Sequence, residues 1–305
     1  MQNLAHSILE GVDQDVERRV NSCVERFRER VRDGVKDAYM FTLGARKNVR
    51  HTISISIERG DAVLEGVVRS DDSLGMALSA YRDSIAGGLS CIRRLQSAKS
   101  SLQGVPGDEL DAIYPDEESD TLEQFLVMLD GRIERAGIVQ RLMSLTTDFL
   151  GAYSPAQRSG QIVLNWGLIG LLAPRIDVSV EALTLKVLAH EYAHALSHLG
   201  VDANGENWEL EAFWQADVYV HEGLANYFSA AALAASDDWW FREALTALDR
   251  MVERQSEPYR EFNRWKSDLG ARPEGVRAAL RTARTMARVS NREFDQLLRD
   301  YSGGR

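Results

Sequence analysis

The sequence predicts an α+β protein that is predominantly α-helical. Three observations lead to this fold class. Long segments repeat apolar residues every three to four positions, which is typical of amphipathic helices. Two short stretches, residues 52–68 and 161–165, have the alternation or the β-branched content of strands. The chain has 305 residues, enough to bury one large core or two modest ones.

Residues 11–43 predict a long amphipathic helix. Its apolar residues form one stripe made of Val12, Val16, Val20, Val24, Phe27, Val31 and Val35. The opposite face is rich in Arg, Glu and Asp of both signs, which indicates a solvated surface rather than a phosphate site. The stripe is typical of core packing, and a dimer or partner contact through this N-terminal helix is the alternative.

Residues 52–68 predict a β-hairpin. The segment Thr52–Glu58 alternates with period two, and Arg59-Gly60-Asp61 has the residues of a turn. A second β-like run, residues 62–68, follows.

The next segments favour a division of the chain into two parts. A helix is predicted at about 73–101, and the Gly, Pro and acidic residues of 104–121 indicate a linker. We therefore expect an N-terminal region at 1–117, formed by helices and the hairpin, that selects substrates or regulates the protein. A second domain is expected at 118–305.

The second domain is predicted to be helical around one short strand, Gln161–Asn165. Ser179 and Gly200 are the expected N-cap and C-cap of the helix between them. Further helices are predicted at 122–135, 139–150 and 208–235, and in broken form from there to about 301, while 151–160 is predicted to be a loop.

Composition excludes several classes of partner. The formal net charge of -10 argues against nucleic acid and against anionic membrane surfaces. Cys23 and Cys91 lie far apart, so neither a disulfide framework nor a Cys-ligated metal site is indicated. The N-terminus lacks a signal-peptide pattern, and the most apolar run, residues 162–173, is too short to span a bilayer. We expect a soluble cytoplasmic protein.

Residues 187–196 contain the pattern His-Glu-Xaa-Xaa-His between apolar flanks. On a helix, His190 and His194 lie on the same face one turn apart and can bind one zinc ion, Zn2+. Glu191 points about 100° away and can act on water. The pattern therefore predicts a metal site, with a chance pair of core histidines as the alternative.

A catalytic zinc site needs a third protein ligand. His198 is excluded on geometry, because on a continuous helix it lies about 12 Å along the axis from His190. The acidic and histidine residues of the next predicted helix are the remaining candidates: Glu209, Glu211, Asp217, His221 and Glu222.

The segment His221–Phe228 resembles the glutamate helix of the gluzincins, the thermolysin and aminopeptidase branch of zinc peptidases. The resemblance covers residues 188–228 and implies that Glu222 is the third ligand. The rest of the pattern is matched by Gly223, Leu224, Ala225 and Tyr227. Two departures, His221 in place of Asn and a gap of 27 residues after His194, leave Glu211 and His221 open as alternative ligands.

The resemblance also implies a zincin-like catalytic domain, with a small β-sheet and an active-site helix, and roles for further residues. Glu191 is the expected general base. Asn226 is the expected hydrogen-bond partner of a zinc-binding histidine, or else it only caps a helix kink beside Gly223. The candidate oxyanion stabilisers are His221, Tyr227 and Tyr259. An edge strand formed by Gln161, Ile162, Val163, Leu164 and Asn165 is expected to pair with substrate backbone, and an inner strand of a small sheet is the alternative.

Two functions remain open at this point. The first is zinc-dependent hydrolysis of peptide bonds in a narrow protein or peptide substrate, such as a regulatory protein, by an endopeptidase or an aminopeptidase. The second is a zincin-like helical interaction protein whose metal site is not catalytic. Glu191 favours the first, because a structural metal site has no use for it.

Overall fold

The computed structural model of the chain describes residues 9, 12–39, 52–70, 76, 87, 142, 149–200 and 207–302. The chain divides into two compact units, residues 1–11 with 61–142 and residues 12–60 with 143–305. The predicted boundary at residue 117 does not coincide with this division, because the N-terminal helix and first strand belong to the second unit. Cys91 and the predicted linker lie outside the described residues, as do nearly all residues of the helices predicted at 73–101, 122–135 and 139–150.

The described elements, in chain order, are α1 Asp15–Tyr39, β1 Thr52–Glu58, α2 Asp61–Ser70, β2 Gly151–Ala156, β3 Ser159–Asn165, α3 Trp166–Leu172, a 3-10 turn Ala173–Ile176, α4 Val180–Leu199, α5 Leu210–Gln215, α6 Val218–Ala234, α7 Trp239–Val252, α8 Glu257–Ser267, α9 Pro273–Ala283 and α10 Asn291–Ser302. The α+β prediction, mostly helical with a small sheet, is confirmed. No helix among these is long and apolar enough to cross a membrane.

The predicted hairpin is wrong in its second half. Residues 61–70 form the helix α2, in which Leu64 and Val67 are buried at helical spacing. Strand β1 pairs instead with β3, in parallel, so that Ile55 lies beside Ile162. The run 62–68 is apolar and β-branched, and at this length such a run does not distinguish strand from helix.

The sheet also corrects the expected substrate-binding strand. Its order is β1-β3-β2, and β2 pairs antiparallel with β3. Residues Gln161–Asn165 lie in β3, which is hydrogen-bonded on both sides and therefore cannot accept a further strand. The segment 151–160, predicted as a loop, forms β2 and the beginning of β3. In the described sheet, β2 is an edge strand, and it packs on α4.

Helix α4 lies at the centre of the second unit, with α1, α6 and α7 packed around it. Its ends are as predicted: the Ser179 hydroxyl accepts from the Ala182 N–H, and Gly200 adopts a left-handed conformation with φ 62°. The apolar stripe of α1 is buried within the chain. At its C-terminal end, the Tyr39 hydroxyl donates to the Ala193 carbonyl at 2.8 Å and lies 2.6 Å from Ser197 Oγ.

The single helix predicted at 208–235 is two helices, α5 and α6. The break falls at Asp217, whose backbone N–H donates to the Val289 carbonyl. The Asp217 carboxylate accepts from the Tyr219 N–H at 3.0 Å and so caps α6. After this break α6 begins at Val218, about one turn before Glu222.

Candidate metal centre

Three buried side chains converge between α4 and α6. One possible ligand atom from each of His190, His194 and Glu222 lies within 4.8 Å of the others. His190 Nε2 is 3.1 Å from Glu222 Oε2 and 3.2 Å from His194 Nε2. His194 Nε2 is 3.7 Å from Glu222 Oε2. The group can hold a metal ion.

The local sequence explains this convergence. His190 and His194 are four residues apart on α4, so their rings project from one face. Glu222 and Asn226 have the same spacing on α6, which packs along α4. Gly223 permits the close approach of α8, because a Cβ there would lie 2.4 Å from Trp265 Cη2.

Asn226 determines which nitrogen of His190 faces the cluster. The Asn226 amide Nδ2 donates to the Tyr259 carbonyl at 2.8 Å, which leaves Oδ1 as the acceptor opposite His190 Nδ1, also at 2.8 Å. His190 Nδ1 is therefore placed to donate to Asn226, and Nε2 is the ring nitrogen that faces Glu222 and His194. Metal-binding histidines usually have such a partner.

The chemistry of these atoms is that of a cation site. A carboxylate oxygen and two imidazole nitrogens, all acceptors or lone-pair donors, lie together away from solvent. Two imidazoles and one carboxylate are also a donor set that zinc uses in catalytic sites.

Glu191 follows His190 on α4, and its side chain lies under the first residue of β2. It is 1% exposed. A Cβ on Gly151 would be 2.8 Å from Glu191 Oε1 and 2.7 Å from Val187 Cγ1. The absence of a side chain at Gly151 therefore lets the strand backbone come into contact with the glutamate.

Neither alternative ligand belongs to this group. Glu211 is exposed on α5 and its carboxylate accepts from the Gln215 amide at 3.0 Å. His221 Nε2 donates to the Phe213 carbonyl at 2.7 Å. Burial, followed by the nearby His194, lowers the pKa of His221 to about 4, so the ring is neutral. His198 is fully buried, with Nδ1 2.8 Å from the Tyr153 hydroxyl.

The three candidate oxyanion stabilisers occupy different positions. The Nε2–H of His221 is engaged by Phe213. Tyr227 contacts Phe228, and the Lys266 ammonium lies 5.2 Å above its ring. Burial raises the pKa of Tyr227. Tyr259 alone of the three stacks on a cluster histidine, with its ring 6.1 Å from that of His190.

Sequence reasoning missed two residues of β2 near the site, Gly151 and Tyr153. The Tyr153 ring lies over Gly160, where a Cβ would be 2.2 Å from it, and its hydroxyl reaches His198. Burial raises the pKa of Tyr153. The available signal was the alternation of Gly151, Tyr153 and Pro155 along one face of a strand.

Comparison with protein-family models, with curated proteins and with solved structures found no match to this chain. What is known of the site therefore comes from the structure itself: among the described residues, His190, His194 and Glu222 form a buried group that can bind a metal ion.

Proposed function

We propose that this protein is a zinc-dependent peptidase with a gluzincin-like site on a zincin-like fold. The observation that carries the proposal is the buried group of His190, His194 and Glu222, together with the buried Glu191, the residue that follows His190 on α4. A metal site that only stabilises the fold requires ligands and no buried general base.

His190, His194 and Glu222 would hold the zinc ion. When bound, zinc lowers the pKa of water and polarises a peptide carbonyl. The hydrogen bond with Asn226 would hold His190 with Nε2 facing Glu222 and His194, and the Tyr259 ring stacks on the same imidazole.

Glu191 would act as the general base. The carboxyl is buried beneath Gly151 and would accept a proton from the attacking water. The same carboxyl then donates that proton to the leaving amine nitrogen. Tyr259 is the candidate for stabilising the oxyanion, since its ring stacks on that of His190.

Strand β2 would take the substrate-binding role that the sequence assigned to residues 161–165. It is an edge of the described sheet and packs on α4 next to Glu191. An extended peptide can pair with such an edge through backbone hydrogen bonds. We propose a narrow substrate specificity, directed at a protein such as a regulatory protein. Efficient digestion of casein would contradict this narrow specificity.

The experiment that tests the proposal compares the wild type with Glu191→Gln. Zinc content and cleavage of a diverse peptide mixture are measured for both. We expect equal zinc content, with cleavage by the wild type and a loss of about 10²-fold or more in the variant. Zinc in both proteins with no cleavage by either supports the alternative, an interaction protein with a non-catalytic metal site.

A further inference from the structure

The backbone groups along the outer edge of β2 can be assigned one by one. The Asn165 N–H donates to the Leu150 carbonyl at 2.8 Å, so these opposite residues form a hydrogen-bonded pair. Hydrogen-bonded and non-hydrogen-bonded pairs alternate along an antiparallel ladder, so every second residue counted from Leu150 bonds to β3. The backbone polar groups of the residues between them, Gly151, Tyr153 and Pro155, therefore point to the outer edge.

Pro155 leaves a gap in this edge. A proline carries no backbone N–H, and within sheets it is found where that group would face away from a neighbouring strand. The position of Pro155 agrees with the outward assignment that follows from the Asn165 bond. Pro155 thus presents a carbonyl acceptor and no donor, and the strand itself ends at Ala156, before a turn.

Asn165 limits the edge at its other end. Phe149 is the next residue that the same alternation would turn outward, and it precedes the strand. Its carbonyl accepts from Asn165 Nδ2 at 2.9 Å, and both residues are buried. That carbonyl is therefore used within the protein. Within β2, Gly151 and Tyr153 are thus the outward residues that offer both a donor and an acceptor.

This short edge follows the helix that carries the metal-binding histidines. A Cβ on Gly151 would contact Glu191 Oε1, and the Tyr153 hydroxyl lies 2.8 Å from His198 Nδ1. Strand β2 therefore runs along α4 from the turn of Glu191 to the turn of His198, and His194 lies between them on the helix. Gly151 is buried over α4, whereas Tyr153 is half-buried. The direction from Gly151 to Tyr153 leads away from the proposed general base.

We propose that Pro155 limits the full backbone pairing of the substrate to two residues, the partners of Gly151 and Tyr153. The inference rests on the proposed peptidase function, in which β2 binds substrate, and adds a residue that determines specificity. Outward residues alternate along a strand, so the paired substrate segment is about three residues long. A peptide that continues past Tyr153 meets an acceptor and no donor at Pro155. The ligand is thus a short extended segment of polypeptide, recognised through its backbone.

The test measures binding rather than turnover. Peptide hydroxamates of one to six residues are titrated by calorimetry into zinc-loaded protein, in one series with the hydroxamate at the C-terminus and in another with it at the N-terminus. Because the hydroxamate binds the zinc ion, one of the two series extends along β2 towards Pro155. The proteins are the wild type, Pro155→Ala and Ser154→Ala.

Pro155→Ala restores the missing N–H at the end of the edge. Ser154→Ala is the matched control, because the backbone of Ser154 belongs to the residues that bond to β3. Circular dichroism and zinc content verify that each protein is folded and loaded.

We expect affinity to rise with length in one series. Within it, Pro155→Ala should bind the long probes roughly fivefold more tightly than the wild type does, because one backbone hydrogen bond is added. The shortest probes, which do not reach Pro155, should bind equally to both proteins, and Ser154→Ala should match the wild type at every length.

Four results would overturn the role of Pro155: affinity independent of length in both series, no gain in Pro155→Ala, the same gain for the shortest probes or in Ser154→Ala, or no binding of any probe. A gain confined to the long probes, in a protein that cleaves no peptide, supports the role of Pro155 and contradicts the peptidase function. Cleavage of peptides without this gain does the reverse.

Discussion

Asn226 Oδ1 lies 2.8 Å from His190 Nδ1, and both side chains are buried. The amide is held in this orientation by its second hydrogen bond, to the Tyr259 carbonyl on α8. The two hydrogen bonds of Asn226 connect three helices: α4, which carries the histidines, α6, which carries Glu222, and α8, which carries Tyr259. The bond with His190 directs one nitrogen of His190 away from the cluster and the other into it.

Substitution of Asn226 should weaken metal binding without removing a ligand. We expect Asn226→Ala to lower zinc affinity by about 10- to 100-fold, because His190 loses the partner that fixes its tautomer and ring orientation. Competition with a chelating dye at constant pH measures this change. Asn263→Ala, on the exposed face of α8, is the control and should have unaltered affinity. Equal affinities in all three proteins would show that Asn226 has no role at the site.

Substitution of Gly151 should impair catalysis while zinc stays bound. In Gly151→Ala the new methyl group collides with Val187 and with Glu191 Oε1, so the carboxylate must move. A misplacement of this size can reduce kcat by roughly 10²-fold. Zinc content and kcat are measured together, with Gly66→Ala as the control, because a Cβ at Gly66 meets nothing within 4 Å. Unchanged turnover in Gly151→Ala would mean that Glu191 does not need its present position.

The ion pair of Glu181 and Arg19 should stabilise the protein only above acidic pH. Arg19 donates to both carboxylate oxygens at 2.7 Å, and this hydrogen bonding lowers the pKa of Glu181 from 4.5. A carboxyl with a lowered folded-state pKa contributes stability above its unfolded pKa and loses it as the pH falls through the folded value.

The corresponding measurement is urea unfolding of the wild type and Glu181→Gln at neutral and strongly acidic pH. At pH 7 the variant should be less stable by about 0.5–1 kcal/mol, since the pair is partly exposed. The difference should vanish at pH values well below 4.5. Glu25→Gln, on the exposed face of α1, should show no difference at either pH. A difference that persists in acid would contradict this account.

Cys23 should be unreactive until the protein unfolds. The thiol is 4% exposed on α1, and burial, followed by the charge of Glu181, raises its pKa to about 12 from 9.0. At pH 8 the thiolate fraction is thereby reduced about a thousandfold. Labelling with a disulfide reagent in a Cys91→Ser background measures the rate. A folded protein that reacts as fast as the urea-unfolded one would contradict the burial of this residue.

The metal helix could be predicted because its signals are local. Ser179 and Gly200 mark its ends, and His190 and His194 have the spacing that brings two side chains to one face. Glu222 was selected by the motif around it, and Asn226 by its spacing from Glu222. The caps and the two histidines needed only the periodicity of one helix and its capping chemistry, whereas Glu222 and Asn226 were implied by the resemblance to a family motif.

The sheet could not be predicted in the same way because its pairing is not local. The partner of β1 is β3, about one hundred residues further along the chain, and no turn sequence connects them. Whether residues 161–165 form an edge or a centre strand depends on which strands join them, which their own sequence does not encode. The break at Asp217 did have a local signal, since Asp is a favoured N-cap residue.

The central claim is that His190, His194 and Glu222 together hold one metal ion. The most direct measurement is the zinc content per chain, by elemental analysis, of the wild type, His194→Ala, Glu222→Ala and the control His198→Ala. We predict one zinc ion per chain in the wild type and in His198→Ala, and a large loss in the other two. Equal zinc content in all four proteins, or none in the wild type after purification in zinc, would contradict it.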